Sequence, residues 1–360
     1  MNQKNKYNVA IIFGGCSSEY SVSLESASAV IRNIDYEIYN PVLIGITKQG
    51  DWFYYTGTVE AIENDTWCSK TDCVPAVLSP NRTQHELLVM KEISVERIPL
   101  DIALPILHGK NGEDGSVQGA ISVAGIPLAG CGMLASALCM DKERAHKMAE
   151  CAGVRVPKAL VLQAAGDEKE MITANDQKAE IFAEQIGFPL FVKPVKAGSS
   201  YGITKVQKKE ELRKAIQTAF QYDDEVIIEE NIDGFEVGCA VLGTDRLMTG
   251  EVDEIELSQG FFDFTEKYTL KSSAIHVPAR ITKDKAQEIK EASKKIYKAL
   301  GCSGFARVDC FLTPEGDIVF NEVNTIPGFT EHSRYPGMMK AAGYSFQEIL
   351  NRILGQAVME

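Results

Sequence analysis

Short apolar runs alternate along the chain with stretches whose apolar positions recur at helical spacing, and this alternation predicts an α/β fold. Residues 8–13 are a continuous apolar run followed by Gly14-Gly15, after which Val22, Ala29, Val30 and Ile34 fall at helical intervals. The reading is strand, glycine turn, helix, a unit that sets backbone N–H groups and the positive end of a helix over the carboxyl edge of a parallel sheet. Residues 41–46 and 100–107 read as further strands, separated by an aromatic excursion through 51–57 and 76–87. Ser116 leads a helix, and 140–154 reads as another. Beyond a linker at 154–157 a second α+β pattern begins, with strands at 189–194 and 225–230 around an amphipathic helix at 210–220. The stretch 250–281 has no clean period in its middle and reads as a loop of about a dozen residues, long enough for a lid. Residues 282–300 form a helix with Ile289, Ala292, Ile296 and Ala299 on one face.

The most informative stretch follows. Residues 305–312 and 318–323 are β-rich runs joined by Pro314-Glu315-Gly316, a hairpin signal. A register symmetric about Glu315 and Gly316 sets Asp309 opposite Glu322 and Arg307 opposite Asn324, all on one face. Opposed side chains lie roughly 5 Å apart at Cβ. Two carboxylates and an amide oxygen at that spacing suit one or two Mg²⁺ ions. The competing reading is a solvated face with cross-strand ion pairs, but the apolar neighbours make an unpaired charge expensive there.

Composition narrows the function classes. The chain has 360 residues, 45% hydrophobic and 24% charged, which suits two or three soluble domains. A formal net charge of -13 argues against a nucleic-acid partner. The N-terminus has too short an apolar run for a signal peptide or membrane span, so a cytoplasmic protein with no membrane partner is expected. The nine cysteines show no repeated C-x-x-C; Cys68 and Cys73, like the rest, are expected to be free thiols.

Several side chains stand where chemistry is plausible. Glu19, in the first glycine turn, either takes an ammonium group or caps the helix. His108 ends a strand beside Gly109, Gly112 and Gly115, as a ligand contact or as a structural histidine. The G-x-G-x-x-A match at 130–135 lacks the acidic residue that a dinucleotide site needs, because the following region is helical. Lys193 precedes a loop with Gly198, Ser199, Ser200 and Gly202 that is suited to folding over phosphates. Glu229 and Glu230 close a buried strand, where carboxylates could hold an adenine amino group and a ribose hydroxyl. Lys267 and Tyr268 anchor the expected lid, and the polar loop 324–336 lies at the mouth of the hairpin site as an acceptor pocket.

In order along the chain, GGCSSEYSVSLESA, HGKNGEDGSVQG, MDKERAHK, FVKPVKAGSSYG, VIIEENIDGFE, FFDFTEKY, ARVD, NEVNTIPGFT and HSRYP resemble the successive motifs of the D-alanine:D-alanine ligase family of ATP-grasp enzymes. Arg334 and the Trp52-containing excursion resemble the D-alanine:D-serine branch linked to vancomycin resistance, of the VanG type. The resemblance implies a Rossmann-like N-terminal domain (1–131) and a two-part ATP-grasp fold, with a central subdomain (132–234) and a C-terminal one (235–360). It implies ATP and two Mg²⁺ ions, with Mn²⁺ as a substitute, and a homodimer that supplies a peptidoglycan precursor.

Carried onto matching positions, Glu19, Ser199 and Tyr268 would hold the first D-alanine, with His108 near it. Lys142, Lys193 and Ser200 would meet the phosphates, and Glu229, Ile232 and Glu236 the adenine and ribose. Asp309, Glu322 and Asn324 would bind metal. The substrate carboxylate would attack the γ-phosphate, and the second amine would attack the acyl phosphate while Arg307 and the Gly328 N–H stabilise the oxyanion. Ser333, Lys267 and Arg334 would shape the second-substrate pocket, with Asp253 and Asp263 accepting a D-serine hydroxyl or orienting Arg334. An ordinary D-alanine:D-alanine ligase is the alternative. A nicotinamide oxidoreductase would leave the hairpin carboxylates idle, and a non-catalytic sensor would show no phosphate release.

Overall fold

The computed structural model describes residues 6–69, 71–164, 169–198, 201–257 and 273–359. Its first sheet is seven-stranded, with Tyr7–Gly14 next to one edge between the parallel strands Tyr39–Ile46 and Ile102–Pro105. The helix Tyr20–Asn33 lays Leu24, Ala27, Val30 and Ile31 on one face of this sheet, against Val9, Ile11 and Phe13. Each of the valine, leucine, isoleucine and phenylalanine side chains among these, fully buried, contributes about 1.5–3 kcal/mol.

The aromatic excursion widens the same sheet. Trp52–Tyr55, Cys73–Leu78, Glu86–Met90 and Val95–Pro99 add in turn as antiparallel neighbours beyond Tyr39–Ile46. Trp67 ties this addition to the centre: its ring lies 5.0 Å from Phe13 and 5.9 Å from Tyr55, and its Nε1 donates to the Tyr20 hydroxyl at 2.8 Å. The outermost strand, Val95–Pro99, is largely exposed, and the turn before it carries Ile93 fully in solvent.

The second sheet is four-stranded and antiparallel, in the order Thr204–Val206, Leu190–Pro194, Glu225–Glu230, Ala159–Gln163. Strand alternation divides its faces. Leu190, Val192, Val226 and Ile228 pack with Ala215 and Ala219 of the helix Lys209–Ala219, while Phe191, Lys193 and Glu229 face a cleft.

The third sheet is six-stranded, with Phe235–Leu242 between Asp253–Leu257 and Phe305–Leu312, and with Ile318–Asn324 on the far side of the latter. The helix Lys283–Ala299, started by Thr282 accepting from the Lys285 N–H at 3.2 Å, covers its apolar face with Ile289, Ile296 and Tyr297. Met133–Met140 and Lys142–Cys151, expected to open the central subdomain, bury Ala135, Cys139, Ala145 and Ala149 in the same core.

The flanks of 250–281 are two paired strands, Asp253–Leu257 and Ser273–His276, and the expected loop between them lies outside the described residues. Ladder pairing and burial of Val252 and Ile255 override a polar pattern whose glutamates are absorbed by Arg280, to which Glu254 is bound on both oxygens. Asp263, Lys267 and Tyr268, like Ser199 and Ser200, lie outside the described residues. All nine cysteines are free thiols. Among the described residues no helix is long and apolar enough to cross a membrane.

Candidate active site

Two cavities meet at the hairpin. One, of about 450 Å³, opens between the second and third sheets and is lined by Phe191, Ile232 and Phe311 together with Lys142, Lys193, Glu229 and Glu236. The other, of about 360 Å³, brings Glu19 and His108 of the first sheet's domain to Arg307, Asn324, Gly328, Ser333 and Arg334. Lys142 and Glu322 line both.

In the larger cavity the lysines are poised but partnered. Lys193 sits 2.6 Å from Glu229, and Lys142 donates to the Ala197 carbonyl, in the glycine loop, at 2.8 Å. Burial pushes the Glu229 carboxyl up, but the ammonium of Lys193 and the neighbouring cations outweigh it and leave it below its ordinary value. Behind it, His146 donates from Nε2 to the Asn321 carbonyl at 2.9 Å, and burial lowers its pKa. Glu230, at the rim, accepts from the Lys158 N–H at 3.0 Å. Apolar walls at Phe191, Ile232 and Phe311 among charged and polar groups that include two lysines fit a nucleotide and its phosphates.

In the smaller cavity Glu19 occupies the N-cap position of its helix, yet its side chain makes no capping bond. Its carboxylate lies instead against Gly109, where a Cβ would come within 2.5 Å of Oε2. That crowding and a φ of +71° both call for glycine at this position. His108 is a joint: Nδ1 lies 2.9 Å from the Ile326 carbonyl and Nε2 lies 3.2 Å from Ser26 Oγ. Burial lowers its pKa, so the neutral ring pins the acceptor loop to the first domain. Ser333 begins the helix Arg334–Ala341 at the cavity wall.

The hairpin pairs Arg307 with Asn324 and Asp309 with Glu322, as expected, but by a different route. Its turn is centred on Glu315, since Leu312 pairs with Ile318, and a bulge at Asn321 restores the pairing. The bulge also turns Asn321 and Glu322 together toward the larger cavity.

Across the sheet, Asp253, Gly238, Asp309 and Glu322 form one row on four neighbouring strands. Arg334 lies over the glycine. Its Nε and Nη2 donate to Asp253 at 2.7 and 2.8 Å, its Nη1 to Glu236 at 2.8 Å, and its Nη2 is 3.3 Å from Asp309. A Cβ at position 238 would stand 2.5 Å from the guanidinium, so this close approach requires glycine. Arg307 binds Asp309 on both oxygens, and Asn324 donates to Asp309 at 2.9 Å. The paired Asp309 and Glu322 bring carboxylate oxygens together at the cavity wall, the donor type that suits a magnesium ion.

Sequence reasoning missed Glu113. It lines the smaller cavity and accepts from the Gly109 N–H at 3.1 Å, and burial beside Glu19 pushes its carboxyl up to about 8. Its Gly-Glu-Asp context reads as an ordinary solvated turn. Gly238 was missed too, although a lone glycine inside an apolar strand run is a readable sign of close approach.

A nucleotide-sized cleft between two antiparallel sheets, beside a second polar cavity, is the architecture of ATP-grasp ligases. Family models described as D-ala D-ala ligase N-terminus and C-terminus match residues 8–131 and 148–355. The chain belongs to the D-Ala-D-Ala ligase family. It is 44% identical over 98% of its length, and 99% of the relative's, to the vancomycin B-type resistance protein VanB of Enterococcus faecalis. It is 40% identical, over 98% of its length and 95% of the relative's, to a D-alanine–D-alanine ligase of Caldicellulosiruptor bescii. Among solved structures, the VanG D-Ala:D-Ser ligase from Enterococcus faecalis superposes with a TM-score of 0.90 at 54% identity, covering 98% of this chain and 100% of that one. Enzymes of this family consume ATP with magnesium.

Proposed function

We propose that this ligase joins D-alanine to D-serine. The observation that carries the reading is the Arg334–Asp253 pair at the acceptor cavity, 9% and 0% exposed. A hydroxyl can accept from a guanidinium, and Arg334 lines the cavity with its fork held by the buried Asp253. D-Alanine would leave that guanidinium without this partner, the situation in which a site discriminates strongly. The 54% identity to the VanG D-Ala:D-Ser ligase supports the same choice.

In this reading Glu19 takes the first ammonium, assisted by Ser199 and Tyr268. Lys142, Lys193 and Ser200 meet the phosphates, and Glu229, Ile232 and Glu236 the nucleoside. Asp309, Glu322 and Asn324 would hold magnesium, which would supply charge neutralisation on the transferring phosphate. Lys142 and Glu322 line both cavities, which supports a reading in which phosphoryl transfer to the first carboxylate occurs beside them. Arg307 and the Gly328 N–H then face the oxyanion formed by attack of the second amine. The reading includes two metal ions, the domain division 1–131, 132–234 and 235–360, and a cytoplasmic homodimer. The test is an ATP-dependent phosphate-release assay with D-alanine and a panel of second substrates: D-serine, D-alanine, D-lactate. D-Serine should be preferred; a preference for D-alanine would assign the ordinary cell-wall ligase instead.

A further inference from the structure

Glu236 links the two cavities through Arg334. It lies in the strand Phe235–Leu242 and lines the nucleotide-sized cavity, while its Oε1 accepts from Nη1 of Arg334, which lines the other one. Each nitrogen of that guanidinium meets a carboxylate: Nε and Nη2 are on Asp253, Nη2 also approaches Asp309, and Nη1 is on Glu236. A planar fork held at three nitrogens has one orientation, and releasing one arm lets it pivot about the others. Asp253 and Asp309 are 0% and 1% exposed, whereas Glu236 is 15% exposed and is the arm that a ligand in the nucleotide cavity can touch. A carboxylate offers about four acceptor positions, so a ligand hydroxyl and the guanidinium can share it.

We propose that Glu236 is a positioning residue for the second amino acid, holding Arg334 from the nucleotide side so that nucleotide occupancy tightens the acceptor pocket. A ligand hydroxyl bound to Glu236 orders its side chain, and Arg334 then loses less freedom when the second substrate arrives. By linkage, the second substrate tightens nucleotide binding by the same factor. This rests on the reading that the second amino acid binds at Arg334.

The test is Glu236→Gln, which keeps the shape and removes the charge. A nucleotide contact alone would weaken ADP affinity and leave the KM of the second amino acid, measured at saturating ATP, within about twofold of wild type. The proposal expects that KM to rise about three- to tenfold at saturating ATP, with the D-serine to D-alanine ratio falling. A KM within the twofold range overturns it. Glu236→Asp, which keeps the charge but is too short to span both partners, provides the same measurement should the glutamine variant fold poorly. If the wild type prefers D-alanine, the D-serine assignment falls, and the KM arm still decides whether Glu236 acts on the pocket.

Discussion

Arg334 and Asp253 form a two-point ion pair, with Nε and Nη2 of one meeting the two carboxylate oxygens of the other. Removing the guanidinium leaves a carboxylate that is 0% exposed with no fixed counter-charge. Arg334→Leu should therefore lower stability by about 3–5 kcal/mol, read by denaturant titration. In the fraction that remains folded, kcat/KM should move from D-serine toward D-alanine by about 1–3 kcal/mol. Unchanged selectivity would separate Arg334 from the acceptor pocket.

Gly238→Ala probes the same pair without touching a charge. The added methyl would sit 2.5 Å from Arg334, 2.6 Å from Asp253 and 2.9 Å from Asp309, groups bound to one another so that moving one disturbs the rest. Overpacking of this kind costs about 1–3 kcal/mol. Selectivity should fall along with stability, and a variant with wild-type kinetics would show that the arginine can lie elsewhere during turnover.

Asp309→Asn and Glu322→Gln each remove one charge from the hairpin. If these carboxylates hold magnesium, turnover should drop at least about a hundredfold, the scale of losing one principal transition-state contact. Far-ultraviolet circular dichroism should be unchanged. Near-normal kcat at saturating Mg²⁺ would make the pair structural.

Burial lowers the pKa of both His108 and His146. An unfolded histidine near pH 6.5 takes up a proton that the folded form refuses. Stability is therefore fully present above the unfolded value and is lost as pH falls below it. Thermal midpoints should decline from pH 7 to pH 5.5, and His146→Gln, which retains a donor toward the Asn321 carbonyl, should flatten that slope. A slope unaltered by the substitution would mean that His146 is protonated in the folded protein.

The hairpin was legible because its chemistry and its pairing are both local. Even there the expected register rested on a turn centred one half-step away, and the bulge at Asn321 cancelled the difference. Neither feature alone would put Glu322 beside Asp309, because a one-residue slip exchanges the faces of a strand. Lys193 and Glu229 were legible from strand ends. Asp253, expected to orient Arg334, does meet it; what stayed hidden is Glu113, which acquires its environment only when Glu19 is folded against it. The strand at 253–257 was hidden because its Glu254 and Glu256 are answered by Arg280, a pairing with no sequence period.

The widened first sheet has a practical side. Val95–Pro99 is five strand spacings from Tyr7–Gly14, or about 24 Å at the usual separation. Glu96, Arg97 and Pro99 make that border a poor template for another chain. The turn ahead of it, with Ile93 wholly in solvent, can accept a fluorophore or an inserted tag. Cysteine labelling at position 93 would report on the chain from a site remote from both cavities, provided that the exposed thiols Cys16, Cys68 and Cys151 are first replaced.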